Sequence, residues 1–201
     1  MSSQVPPPLV PFQHPSYLVR RKVFKLLGGA FHVFDPAGNA VLYSKQKAFK
    51  LKEDIRIYTG EDMGTEVLTI RTDKIIDLGA TYHVHDSQQG GVRVGSLKRK
   101  GLKSMLRDEW IILDPSGQEV GIIQEDSVAL ALLRRLMVGW LLPQKYNGTI
   151  GNNPVSLFTR NFNPTVSKVS LDFSMDTHGQ LDRRLGIAAA IMLLAIEGKQ
   201  G

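Results

Sequence analysis

The sequence predicts a mostly β protein, a closed antiparallel barrel of about twelve strands around a central hydrophobic C-terminal helix. Three observations carry that expectation. First, Leu185 to Ile196 is apolar on every face of a helix. A surface helix keeps one side polar for water, so a helix apolar all round has to be enclosed. Spanning hydrocarbon takes ~20 apolar residues, whereas ~10 to 14 mark a core helix, so this one belongs inside a protein. Second, period-two alternation rich in β-branched and aromatic residues fills most of the chain before that helix. Third, two turns are nearly the same, Asp35-Pro36-Ala37-Gly38 and Asp114-Pro115-Ser116-Gly117, 79 positions apart. Phe31-His32-Val33-Phe34 precedes one and Trp110-Ile111-Ile112-Leu113 the other, with Val41 and Val120 at equivalent places beyond them. This pattern is an internal duplication of antiparallel hairpins. Two such units fit a closed barrel, which has no edge strand to protect.

Residues 1–16 form a proline-rich, partly ordered lead with Pro6, Pro7, Pro8, Pro11 and Pro15, and without the basic and apolar regions of a secretory signal. A polyproline ligand for a partner is the alternative use of that lead. Residues 17–201 are expected to form one domain. Its strands are expected at Tyr17 to Leu27, Phe31 to Phe34, Ala40 to Ser44, Asp54 to Thr59, Glu66 to Arg71, Ile75 to His85, Val92 to Arg99, Glu109 to Leu113, Glu119 to Gln124, Tyr146 to Ile150, Val155 to Asn161 and Ser167 to Ser174. Turn chemistry separates them at Gly28-Gly29, Asp62-Met63-Gly64, Ser87 to Gly91 and Asn161 to Pro164. Val128 to Leu142 reads as a further helix capped by Asp126 or Ser127. Leu132, Leu133, Leu136, Met137 and Trp140 share one face of it, and it either packs on the barrel or lies in a membrane interface. Asp182 is placed to cap the last helix at its start and Gly198 at its end.

The chain has no cysteine, which excludes disulfides, thiolate metal sites, a cysteine nucleophile and cysteine acylation. No enzyme signature is present: there is no nucleophile elbow, no His-Glu-x-x-His and no dinucleotide fingerprint. Gly90 to Ser96 has two glycines at P-loop spacing but lacks the lysine after the second, and reads as a hairpin turn. His83 and His85 fall on one face of a strand without a third metal ligand in sequence. Asp172, Asp176 and Asp182 lack calcium-loop spacing, with Ser174 third, Thr177 in the place of the turn glycine, and no closing Glu. No cofactor or metal is expected. Net charge is +6; Met1 to Arg107 holds 17 basic and 9 acidic residues, and the remainder 8 and 10. The basic segment Lys98-Arg99-Lys100-Gly101-Leu102-Lys103 stands out, with Arg20-Arg21-Lys22-x-x-Lys25 and Lys45-x-Lys47-x-x-Lys50-x-Lys52 in the same half. Such clusters attract anions in general. Aromatic interleaving is too poor for a nucleic-acid module.

Tyr17 to Phe24, the two Asp-Pro-x-Gly hairpins, Lys47-Ala48-Phe49-Lys50-Leu51, Arg107-Asp108-Glu109-Trp110 and Asp182-Arg183-Arg184-Leu185 together resemble the tubby-like superfamily, which joins phospholipid scramblases, LURP-one-related proteins and the tubby C-terminal domain. The resemblance runs from about Tyr17 to Gly198. It implies a twelve-stranded barrel threaded by one hydrophobic helix, and a non-enzymatic role at membranes, since tubby-type domains bind phosphoinositide headgroups through basic residues. The acidic calcium segment and the cysteine-rich acylated region of scramblases are missing here. The expected function is therefore a cytoplasmic, peripherally membrane-associated module that binds anionic phospholipid or phosphoinositide headgroups. Lys45, Lys47, Lys98, Arg99, Lys100 and Lys103 are the expected contact residues. A scramblase-like lipid transporter and a protein-interaction scaffold are the alternatives.

Overall fold

The computed structural model describes residues 10–24, 28–46, 54–72, 79–100, 109–126, 143–161 and 166–197. After a 3₁₀ turn at Val10–Phe12 come twelve strands: β1 (Ser16–Phe24), β2 (Gly28–Phe34), β3 (Ala40–Gln46), β4 (Ile55–Tyr58), β5 (Glu66–Thr72), β6 (Thr81–Asp86), β7 (Val92–Arg99), β8 (Glu109–Leu113), β9 (Glu119–Glu125), β10 (Gln144–Ile150), β11 (Asn153–Asn161) and β12 (Val166–Asp172). Each pairs antiparallel with its sequence neighbours, and β1 pairs with β12 to close the barrel. One helix, α1 (Arg183–Glu197), follows.

The Asp-Pro hairpins show why the chain turns where it does. In both, the glycine N–H donates to the aspartate carbonyl at 3.0 Å, and the glycine takes a positive φ, 86° at Gly38 and 93° at Gly117. The aspartate carboxylate accepts the N–H of Asn39 at 2.8 Å in one and of Gln118 at 2.9 Å in the other. Each hairpin also carries a register shift at the same place, between Val33 and Phe34 and between Ile112 and Leu113. The duplicated units are thus β2–β3 and β8–β9, half a ring apart.

Strand alternation points Val19, Phe31, Leu42, Ile57, Ile70, Val84, Leu97, Ile112, Ile123, Phe158 and Val169 inward around α1. From Ile187 to Ala195 every helix residue is buried. Close approach depends on small residues. A Cβ on Gly186 would lie 2.4 Å from the Phe173 ring, and one on Gly95 would lie 2.9 Å from a Leu185 methyl. The helix starts at the end of the barrel that carries the tight hairpins. There Asp182 accepts the Arg184 N–H at 2.9 Å, Arg184 reaches Asp86, and Arg183 pairs with Asp176 at 2.9 Å while lying over Phe173. At the other end the Leu194 carbonyl accepts a 2.8 Å hydrogen bond from Arg21. Carboxylates at the start and a cation near the finish match the helix dipole at both ends.

Two sequence expectations are adjusted for a visible reason. Gly28-Gly29 opens β2 instead of breaking the chain, because the strand passes so close to its neighbour that a Cβ on Gly29 would lie 3.0 Å from the Lys22 carbonyl. The last strand stops at Asp172, whose carboxylate turns back to the Ser174 N–H at 2.8 Å. The end of the lead is tied to the barrel: Pro15 accepts the Phe173 N–H at 2.8 Å and Phe12 packs on the core. The helix expected over Val128 to Leu142 and the cap at Gly198 lie outside the described residues.

Leu193 is 1% exposed at the centre of this packing. Leu193→Asp buries a charge without a partner, which costs several kcal/mol against a typical margin of ~5 to 15 kcal/mol. The variant is expected to be insoluble or unfolded by circular dichroism. An unchanged melting curve would show that the helix is not the element the walls depend on.

Candidate anion-binding surfaces

Up-and-down topology gives the barrel two distinct ends. One holds the tight hairpins and the start of α1; the other holds the remaining strand connections and the finish of α1. Every lysine among the described residues, Lys22, Lys45, Lys98, Lys100, Lys145 and Lys168, lies in the half of the wall toward the second end. Asp35, Glu61, Asp62, Glu66, Asp86, Asp114, Glu119, Asp172, Asp176 and Asp182 lie at or beside the hairpin end, whereas Asp54, Glu109, Glu125 and Asp126 lie toward the lysine-bearing end. The sequence suggested a division between chain halves. The folded chain biases its charge along the barrel axis instead, with the described lysines toward one end and most of the described carboxylates toward the other.

The expected contact residues separate within that frame. Lys45 is exposed on β3, opposite Ala30. Lys98 faces outward on β7, opposite Thr81 and Ile111. Arg99, one residue on, shares the inward face with Trp110. Lys100 is ion-paired to Glu109, which spends its charge within the chain. Lys47 and Lys103 lie outside the described residues. Lys45 and Lys98 share an end but not a pocket, since the four strand steps from β3 to β7 correspond to ~19 Å around the wall.

Cross-strand pairing assembles a patch that sequence spacing does not reveal. Arg71 pairs with His83, His85 with Arg93, and Lys98 with Thr81, so these basic groups share the outer face of β5, β6 and β7. Asp54 answers Arg71 at 3.3 Å and Glu66 answers Arg56 at 3.5 Å. His83 Nδ1 is 2.8 Å from the Ser96 hydroxyl. Burial, then the charges of Arg71, His83 and Arg93, push the His85 pKa down. A separate cation faces inward: burial, then the charge of Arg160, lowers the pKa of Arg21 beside the helix finish. The alternation Arg20 out, Arg21 in, Lys22 out divides one sequence cluster between wall and core.

The aspartates around the helix start serve the fold. Asp176 is buried and accepts from Gln180 N–H at 2.7 Å, Leu181 N–H at 3.1 Å and Arg183 at 2.9 Å. Asp182 is the helix cap. No group of three metal-ligating side chains occurs among the described residues.

A closed twelve-stranded antiparallel barrel wrapped on a C-terminal helix is the architecture of the tubby-like class of domains. The family model for LURP-one-related proteins matches residues 16–100 and 40–193, and the chain belongs to that family. A protein of Arabidopsis thaliana known from an X-ray structure aligns over 92% of this chain and 94% of its own, with a TM-score of 0.47 and 17% identity. No curated protein matches the chain by sequence.

Two predictions follow from these groups. With Asp176 and Asp182 engaged by donors, thermal melts in calcium and in chelator should coincide; stabilisation that saturates at micromolar calcium would overturn that reading. For His85 the native pKa lies below the ordinary 6.5, so the unfolded chain protonates first as pH falls. Its contribution to stability is complete above pH 6.5 and is lost as pH drops through the lowered native value. His85→Gln should therefore flatten the loss of stability between about pH 7 and pH 5 in urea melts, and an unchanged slope would count against this account.

Proposed function

We propose that the chain is a non-enzymatic binding module that places the lysine-bearing end of its barrel against anionic phospholipid headgroups, phosphoinositides included, at a membrane surface. The observation that carries this reading is the axial separation of charge. A surface on which basic groups outnumber acidic ones attracts anions, and each basic residue near an anionic bilayer adds roughly 1 kcal/mol. The carboxylate-rich end is repelled by the same surface, so attraction at one end and repulsion at the other select one orientation. Lys22 and Lys45 are exposed and Lys98 is half-buried on rigid strands, so they meet a surface without ordering a loop first. Membership in a superfamily whose tubby-type members bind phosphoinositides supports the same ligand class. No described helix is long and apolar enough to cross a bilayer. Docking on an acidic protein is the competing reading, because the same lysines would answer carboxylates.

Vesicle flotation tests the proposal. Replacing Lys22, Lys45, Lys98 and Lys145 by Glu should reduce flotation with acidic vesicles to the level seen with neutral ones, with melting unchanged, since exposed charges contribute little to a core. Binding by the parent chain should fall steeply with salt, as screening shortens the reach of surface charge to ~10 Å at 0.1 M ionic strength. A preference among phosphorylated lipids at matched surface charge would mark a formed headgroup site. Equal binding to neutral and acidic vesicles, or an unaffected variant, would remove the lipid reading in favour of a protein partner.

A further inference from the structure

A groove of about 760 Å³ runs along the outer wall over β12, β1 and β2, away from the patch on β5 to β7. The strand register divides it into three rows. Lys168 sits opposite Arg20 in the first; Ser170, Leu18 and Phe34 form the second; Asp172 sits opposite Ser16 in the third, with Asp35 of the first hairpin lining the same end. The groove is therefore basic at one end, apolar in the middle and acidic at the other. Four residues of strand, ~13 Å, separate the charged rows.

Two features of the rows are unfavourable within the chain. Like charges directly opposite one another destabilise an antiparallel pair, yet Arg20 and Lys168 are Cα partners. No carboxylate among the described residues forms an ion pair with either. Leu18, 36% exposed, places an apolar side chain at the groove's centre. The Arg20 guanidinium is held over the Phe34 ring at 4.8 Å from the centroid, with its Nε buried and unbonded. Its orientation is thus set by packing before any anion arrives. At the far end, hydrogen bonds from the Asn39 side chain and then its backbone keep the half-buried Asp35 carboxyl below the usual carboxylate range.

We propose that this groove docks an extended segment of a partner protein that carries an acidic residue, an apolar residue two positions on, and a basic residue two beyond that. An extended chain presents alternate side chains on one face ~6.6 Å apart, the same two-residue interval that separates the groove's rows. The acid answers Arg20 and Lys168, the apolar side chain covers Leu18 and Phe34, and the base meets Asp172 and Asp35. Because the barrel is closed, β1 and β12 have no free backbone edge to which a strand could add, so recognition rests on side chains. Either chain direction satisfies the pattern, provided the opposite charges stand four residues apart.

Capped peptides titrated into isotope-labelled protein test this directly. A Ser-Glu-Ser-Leu-Ser-Lys-Ser peptide should shift the amides of Leu18, Arg20, Phe34 and Ser170, and bind more tightly than versions with Glu at both charged positions or Lys at both. Combined Arg20→Glu and Lys168→Glu should weaken that peptide about tenfold or more and turn the preference toward the peptide with two lysines. Melting should fall only slightly, since both side chains lie on the outer wall and Arg20 gives up a single contact with the Phe34 ring. Shifts scattered over the barrel, no binding, or an unaltered preference in the double variant would overturn the proposal. Perturbation of the same amides by inositol phosphates but not by the peptides would overturn it too, and identify the groove as a headgroup site. The flotation variants leave Arg20 and Lys168 intact, so the groove and the lysine-bearing end fail or succeed separately.

Discussion

A helix with no polar face is the constraint on which this structure depends. α1 cannot be left at a surface, and its length does not suit a bilayer, so the rest of the chain has to wrap it. The number of strands follows. An eight-stranded barrel is just wide enough for its own side chains, whereas a helix with side chains is ~10 to 12 Å across and needs a wider ring. Twelve strands supply that ring, and even then Gly95 and Gly186 must give up side chains for the helix to sit against β7 and Phe173. The ends of the helix then set the charges inside: Asp86, Asp176 and Asp182 around its start, Arg21 at its finish.

That arrangement distinguishes charges the fold needs from charges it does not. Carboxylates collect at the hairpin end for structural reasons, since tight turns use Asp35 and Asp114 to bind backbone N–H groups and the helix start uses Asp176 and Asp182. Their hydrogen bonds hold the carboxyl groups of Asp35 and Asp114 below the usual range, which is the electrostatic mark of that work. The lysines at the other end have no matching structural duty. Lys100 is tied to Glu109, but Lys22, Lys45 and Lys168 are exposed on strands whose pairing does not call on their ammonium groups. A charge pattern that turn chemistry explains at one end and nothing in the fold explains at the other is a reason to look for a partner at the second.

Most of the fold was legible because it rests on local rules. Period-two alternation, the two Asp-Pro-x-Gly turns and the all-apolar run each depend on residues close in sequence, and together they specify strands, a duplicated hairpin and an enclosed helix. Gly28-Gly29 misleads for a physical reason: glycine marks both turns and places where two backbones approach closely, and only the folded neighbour, the Lys22 carbonyl, distinguishes them. The binding surfaces were less legible because a sequence cluster is not a spatial one. Lys98, Arg99 and Lys100 look like one patch along the chain, yet alternation sends Lys98 outward and Arg99 inward, and Glu109 claims Lys100. The pairing of Arg71 with His83 and of Arg20 with Lys168 joins residues 12 and 148 positions apart, beyond the reach of any spacing rule.

The tripeptide Arg20-Arg21-Lys22 shows how few residues tie these layers together. Its middle residue faces the core, where the Arg21 guanidinium meets the Leu194 carbonyl at the negative end of the helix. Its outer two face the wall, Arg20 over Phe34 in the groove and Lys22 toward the lysine-bearing end. A one-residue slip of β1 against its neighbours would exchange these faces, exposing Arg21 and forcing two cations into the core. The interactions that enclose the helix therefore also fix where the chain can present positive charge, and any ligand that answers Arg20 reads a register already set by the helix inside.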